Sequence, residues 1–236
     1  MGFGLTIDGK HTSEFGLRMT SMYIPMPEAK TYFVDIPYAS GSIDLSDVTG
    51  NVNYKDRKGI EFSFVLYDGD YDRWAMAYSA IAMWVHGKSV QVIPDNDFNF
   101  YYVCRLEVDS KKSSRINSRI VLSGTAEPFK YDRLASDDDW LWDPFNFEIG
   151  IIRELSDISI TDANRHIEIT GGGCPAVPEF IVRESSNLKV TYNGKTFDML
   201  LPGTYRFPQI KVGEDSVVLV FLGAGKLSIR YRGIFL

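Results

Sequence analysis

Apolar residues fall on every second position along much of this chain, the period of strands with one buried face. Phe3, Leu5 and Ile7 alternate ahead of the turn signal Asp8-Gly9. Between Ser21 and Pro37, the prolines Pro25, Pro27 and Pro37 confine any strand to an edge, because proline has no N–H for a ladder. Ile43–Leu45 can pair as a short segment, with Thr49-Gly50 and Lys58-Gly59 as turns. Then Ile60, Phe62, Phe64 and Leu66 face one way, while Glu61 and Ser63 face the other. One segment changes period. Trp74, Tyr78, Ile81 and Trp84/Val85 recur at helical spacing, behind Asp70 as a cap and Asp72 in the first turn, with Gly87 as the stop. The spacing predicts an amphipathic helix of about four turns packed on a sheet. Strands return at Ser89–Ile93, Phe98–Val108 and Ile116–Glu127, around a Pro94–Asp97 turn and a basic Lys111-Lys112 loop.

The composition shifts between Asp132 and Trp142, dividing the chain into a domain over 1–131, an acidic linker over 132–139 and a domain over 140–236. The run Asp137-Asp138-Asp139 reads as a solvated linker or helix start, and Trp140, Trp142, Phe145 and Phe147 as the entrance to a second core. Beyond it the pattern is all strand. Arg165–Thr170 is one, and Asn193-Gly194 between VTY and KTF is a type I′ hairpin turn. Gly213-Glu214-Asp215 and Gly223–Gly225 punctuate two more. In KLSIRYR, Leu227, Ile229 and Tyr231 share one face, and Lys226, Ser228, Arg230 and Arg232 the other. The chain is therefore mainly β: an N-terminal β-sandwich-like domain with one packed helix, then a C-terminal β-sandwich.

Charge and cysteine content narrow the function. The net charge is −6. The part before Tyr131 holds 14 basic and 16 acidic residues and the rest 11 and 15, so neither part is a module for gripping a phosphate backbone. No nucleic-acid partner is expected. Two distant cysteines, Cys104 and Cys174, fit a reducing compartment, and Cys104 in YYVCRLEV reads as a buried thiol. No stretch reaches the ~18 apolar residues of a membrane helix, and no cleavable signal peptide is visible. The opening MGFGLT matches a myristoylation pattern, but its alternation reads as a first strand.

No catalytic set emerges. His11, His86 and His166 are widely spaced and sit in no metal-ligand motif, so neither metal nor cofactor is expected. Gly171-Gly172-Gly173 follows a strand as a phosphate loop would, but Pro175 and Pro178 fall where the cradling helix should start, and a flexible connection is the better reading. Asp44 with Asp47, Asp70 with Asp72, and Asp137 to Asp139 could supply a glycosidase pair, yet each lies in a predicted loop or cap, where carboxylates stay solvated. Trp140 and Trp142 could stack on a sugar, which keeps a carbohydrate-binding module as the alternative function, although buried anchoring of the linker suits them better.

Several stretches, taken in order, resemble a known family. GSIDLSDVTG is followed by YKDRKGIEFSF, a single Trp-containing helix ending in WVHGK, the IPDND turn before FYYVCRLEV, and the closing GAGKLSIRYRGIFL. Their order and spacing are similar to the distal tail protein of long-tailed phages with non-contractile tails, best over 1–131 and next over the final dozen residues. The chain departs at Tyr38-Ala39-Ser40-Gly41, where that family often has a more basic, glycine-rich turn. The resemblance implies a homohexameric ring at the tail tip, in the virion at the distal end of the tail and assembled in the host cytoplasm. The first domain would form the ring and join the tail tube protein to the tail hub. The second would be galectin-like and attach a receptor-binding protein or other baseplate protein, with no reaction of its own. Charge flanking a strand with one apolar face suits a ring contact. Asp56, Arg57 and Lys58 are therefore candidate interface residues, with a solvent-facing turn as the other reading.

Overall fold

The computed structural model describes residues 3–46, 48, 50–66, 71–109, 119–138 and 153–236. The Asp70 cap, the Lys111-Lys112 loop and the aromatic run from Trp140 to Phe147 lie outside the described residues. The chain divides into two compact units, residues 1–130 with Leu236, and residues 131–235.

In the first unit, β1 (Leu5–Ile7) pairs antiparallel with β2 (Lys10–His11), and β3 (Leu17–Tyr23) follows. Among the described residues, β4 (Phe33–Asp35) and β5 (Ser42–Asp44) pair only with each other. Next come β6 (Arg57–Leu66), the helix α1 (Tyr71–Val85), β7 (Lys88–Pro94), β8 (Phe100–Val108) and β9 (Arg119–Asp132). Seven strands follow the order β2-β1-β7-β8-β9-β6-β3. Although β1 and β3 lie near opposite ends of that order, the Met19 N–H donates to the Phe3 carbonyl at 3.3 Å. The sheet therefore curls until its two margins meet, as strand twist favours.

The alternation read in β6 holds, with Ile60, Phe62, Phe64 and Leu66 all buried. Trp74, Ile81 and Val85 of α1 join them in one core, and Trp84 stacks on Phe15 with ring centroids 4.8 Å apart. One expectation is corrected. Lys58-Gly59 is not a turn but lies inside β6, where Gly59 takes φ 76° and the register with β9 slips between Lys58 and Ile60. The extra residue makes a β-bulge, which a left-handed glycine accommodates.

The second unit contains β10 (Ile158–Ile160), β11 (His166–Ile169), β12 (Glu179–Tyr192), β13 (Lys195–Asp198), β14 (Gly203–Arg206) and β15 (Val217–Arg230). The Asn193-Gly194 turn joins β12 to β13 with φ of 47° and 75°, as a type I′ turn requires. β12 and β15 pair along nearly their whole length and organise the rest. β14 and β10 flank one half of the pair, while β13 and β11 flank the other.

Phe180 pairs with Ile229 in one half, and Phe221 pairs with Val190 in the other. On a flat sheet those two pairs would stand about 30 Å apart, at ~3.3 Å per residue. The Phe180 and Phe221 rings are 6.4 Å apart. The ribbon has folded over, so its halves form two layers around Phe180, Val190, Leu219, Phe221, Leu227 and Ile229, all fully buried. The fold falls where β12 slips register between Ser186 and Lys189, opposite Gly223 at φ 80°. A Cβ on Gly223 would sit 2.2 Å from the Asn187 carbonyl oxygen. The glycines at 223 and 225 thus bend a strand, and do not end one as expected. Gly171 and Gly172 are likewise no flexible connection. Both are buried, and side chains there would strike the backbone of Val212 and Ile234.

Candidate functional site

Of the catalytic candidates, Asp44, Asp72, Asp137 and Asp138 fall among the described residues. Asp44 lies on the exposed β5 and accepts hydrogen bonds from the Ser46 N–H, at 2.9 Å, and from the Ser46 hydroxyl. These bonds hold its pKa below the usual aspartate value, the opposite of what a general acid needs. Asp47 and Asp70 lie outside the described residues. The Asp137 side chain, expected to be solvated, is only 5% exposed and is clamped through both oxygens by Arg230 at 2.8 to 3.0 Å. Among the described residues, no three His, Cys, Asp or Glu side chains are placed to share a metal ion. Trp140 and Trp142 lie outside the described residues.

Cys104 is buried on the inner face of β8, and burial raises its pKa to about 12. At pH 8 that leaves a thiolate fraction of about 10⁻⁴. A thiol reagent should therefore label Cys174 first and reach Cys104 only on unfolding, by mass spectrometry of the peptides. Equal rates in the native protein would contradict the buried assignment. Because folding favours the protonated thiol, its stabilising contribution is complete below about pH 9 and is lost towards about pH 12.

The feature that stands apart is the excursion between β3 and β6. These neighbours pair as far as Tyr23 with Glu61, and the chain between them continues outward as a two-stranded arm. Lys30 N–H donates to Asn53 O at 2.7 Å, Lys55 N–H to Glu28 O at 2.8 Å, and Leu45 N–H to Tyr32 O at 2.8 Å. Beyond them the β4–β5 hairpin aligns Phe33 with Asp44 and Asp35 with Ser42. All six of its strand residues are exposed. Of twenty large apolar side chains exposed among the described residues, ten lie between Met26 and Val52. Three of the ten, Tyr32, Phe33 and Tyr38, are aromatic side chains of about 150–250 Å² each, and each is more than half exposed. At the tip, Tyr38 is fully exposed and held at φ 66°, a region unfavourable for a bulky residue.

The three sequence candidates sit at the arm's root, in different settings. Asp56 and Lys58 are exposed, whereas Arg57 is 3% exposed. The bulge at Gly59 turns Arg57 inward, where its guanidinium donates to Pro25 O at 2.8 Å and Pro128 O at 3.0 Å and lies 5.6 Å from the centre of the Tyr102 ring. Tyr54 adds an edge-on contact to Phe129 at 5.8 Å. Arg57 thus ties the outgoing chain at Pro25 to β9, and desolvation there pulls its pKa below the usual arginine value. The sequence placed charge at this root but gave no sign that the arm would lie uncovered. Its alternating apolar residues look like those of any buried strand.

No family model matches the chain, and no curated protein matches it in sequence. Among solved structures, the Dit protein (gp 19.1) of phage SPP1, a paradigm of the hub adsorption apparatus in phages infecting Gram-positive bacteria, is similar over 100% of both chains, with a TM-score of 0.64 at 10% identity. From its first curled sheet to its second, this chain has the fold of a siphophage distal tail protein.

Proposed function

We propose that the chain is a structural component of a phage tail tip, in the virion at the distal end of the tail. Six copies form a ring that joins the tail tube to the tail hub. The second unit, taken as galectin-like, faces outward and attaches receptor-binding or other baseplate proteins. The full-length likeness to a hub adsorption protein carries this reading, in which the chain has no reaction of its own. Asp56 and Lys58 set register at the ring contact from the surface, while Arg57 serves it from beneath by holding the root of the arm.

A ring of identical subunits uses two different patches, one donating and one accepting, and must close. Light scattering over a concentration series should give six copies of the 26.7 kDa chain, about 160 kDa. Negative-stain images of the same sample should show closed rings with a central opening. Monomer at every concentration, or open filaments, would rule out a self-assembling ring.

A further inference from the structure

We propose that Met26 is an oxidation site, at which a peroxide converts the exposed thioether into a sulfoxide that hydrogen-bonds the buried Arg57 guanidinium and tightens the root of the arm.

The guanidinium is short of acceptors. Its Nε donates to Pro128 O at 3.0 Å and its Nη1 to Pro25 O at 2.8 Å. Nη2 is buried and has no hydrogen-bond partner among the described residues. A desolvated charge with unused donors gains from any further acceptor placed beside it.

The Met26 sulfur stands 3.9 Å from Nη1. A thioether accepts only weakly, so that contact adds little as it stands. Oxidation changes the acceptor. The sulfur lone pair attacks one oxygen of hydrogen peroxide, and the O–O bond breaks as an S–O bond forms. The sulfur gives up two electrons, the transferred hydroxyl passes its proton to the departing hydroxide, and water leaves. On the guanidinium side of the sulfur, the new oxygen fills the gap at the usual N–H···O distance of about 2.9 Å. The three rotatable bonds of methionine let it serve Nη2 as well.

The backbone keeps the sulfur at this spot. Met26 lies between Pro25 and Pro27, and Pro27 is itself buried. Proline fixes its own φ and confines the residue before it to extended conformations. A sulfoxide ordinarily destabilises, because it forces a polar group into apolar packing. Met26 is 68% exposed and has little packing to lose, so the sign here is reversed. Met76 and Met83 of α1 are also exposed and supply an internal reference for oxidation.

The test treats the full chain with hydrogen peroxide and follows trypsin cleavage after Lys30 and Lys55. Both are exposed at the root, where Lys55 N–H donates to Glu28 O. Peptide mass spectrometry locates the sulfoxides. The expected result is a sulfoxide at Met26, as at Met76 and Met83, with cleavage slowed roughly tenfold, because cleavage follows the fraction of chains whose root is open. Met26→Leu treated with peroxide should keep its untreated rate. Met26→Gln, whose amide oxygen stands in for the sulfoxide, should be slow without peroxide. Methionine sulfoxide reductase with a thiol should restore the original rate. Met26 left intact after Met76 and Met83 have oxidised overturns the site. A Met26 sulfoxide with unchanged or faster cleavage overturns the bond to Arg57. Equal slowing in peroxide-treated Met26→Leu assigns the effect to the helix methionines and overturns the proposal.

Discussion

Phe221→Ala in the full chain lowers the stability of the second unit by about 3–5 kcal/mol, the usual cost of deleting a buried phenylalanine. The expectation follows from position. Phe221 is fully buried, pairs with Val190 in its own layer and meets Phe180 of the opposite layer, itself tilted against Phe207 at 5.8 Å. Removing it empties the space between two layers whose separation is set by continuous backbone, so the cavity collapses poorly. Phe221→Leu refills most of that space and should cost only about 1–1.5 kcal/mol. Guanidinium unfolding with amide exchange in β12 and β15 measures both. A loss under about 1 kcal/mol for the alanine variant would show that the rings do not hold the layers apart.

Arg57→Met should destabilise the first unit by up to about 3–6 kcal/mol, the sum of two hydrogen bonds to a charged donor at about 1.5–3 kcal/mol each. Two effects oppose each other. Methionine removes the desolvation penalty of a buried cation, a gain that can make such replacements neutral. But the Pro25 and Pro128 carbonyls, which the guanidinium bridges, would lose their donor. Two half-buried carbonyls that both lose a charged donor outweigh the gain. Arg57→Lys keeps the charge but lacks the fork, so it should recover only part of the loss. Thermal unfolding gives the magnitude, and limited proteolysis between Tyr23 and Arg57 reports whether the arm's root has loosened. A lysine variant as stable as the parent would discredit the bridging role.

The residues that announced the fold were those whose period survives intact. Ile60 to Leu66 alternate without interruption, the stripe from Trp74 to Val85 keeps helical spacing, and Asn193-Gly194 permits little other than a tight hairpin. Legibility failed where one residue changes the phase. Counting back by twos from Ile60 directs Lys58 inward and Arg57 outward. Gly59 inserts an extra position, and the structure has the reverse. Gly223 and Gly225 misled for a related reason, since glycine marks both strand ends and strand bends, and only the facing backbone, at Asn187 and Glu184, distinguishes them. The arm was invisible for a third reason. Phe33, Val34 and Ile43 carry the pattern of a buried hairpin, and their exposure is a property of the assembled chain that periodicity does not encode.

The folded-over ribbon of the second unit has a mechanical consequence. In a sandwich whose sheets are joined only by loops, the layers can slide or peel apart while each keeps its ladder. Here the backbones of β12 and β15 run through both layers and remain hydrogen-bonded to each other on either side of the bend. Shear between the layers must therefore unzip that central ladder itself, so the unit should yield as one cooperative element. For a module under load, such a hinge transmits tension through covalent backbone and paired strands, and does not rely on side-chain friction between sheets.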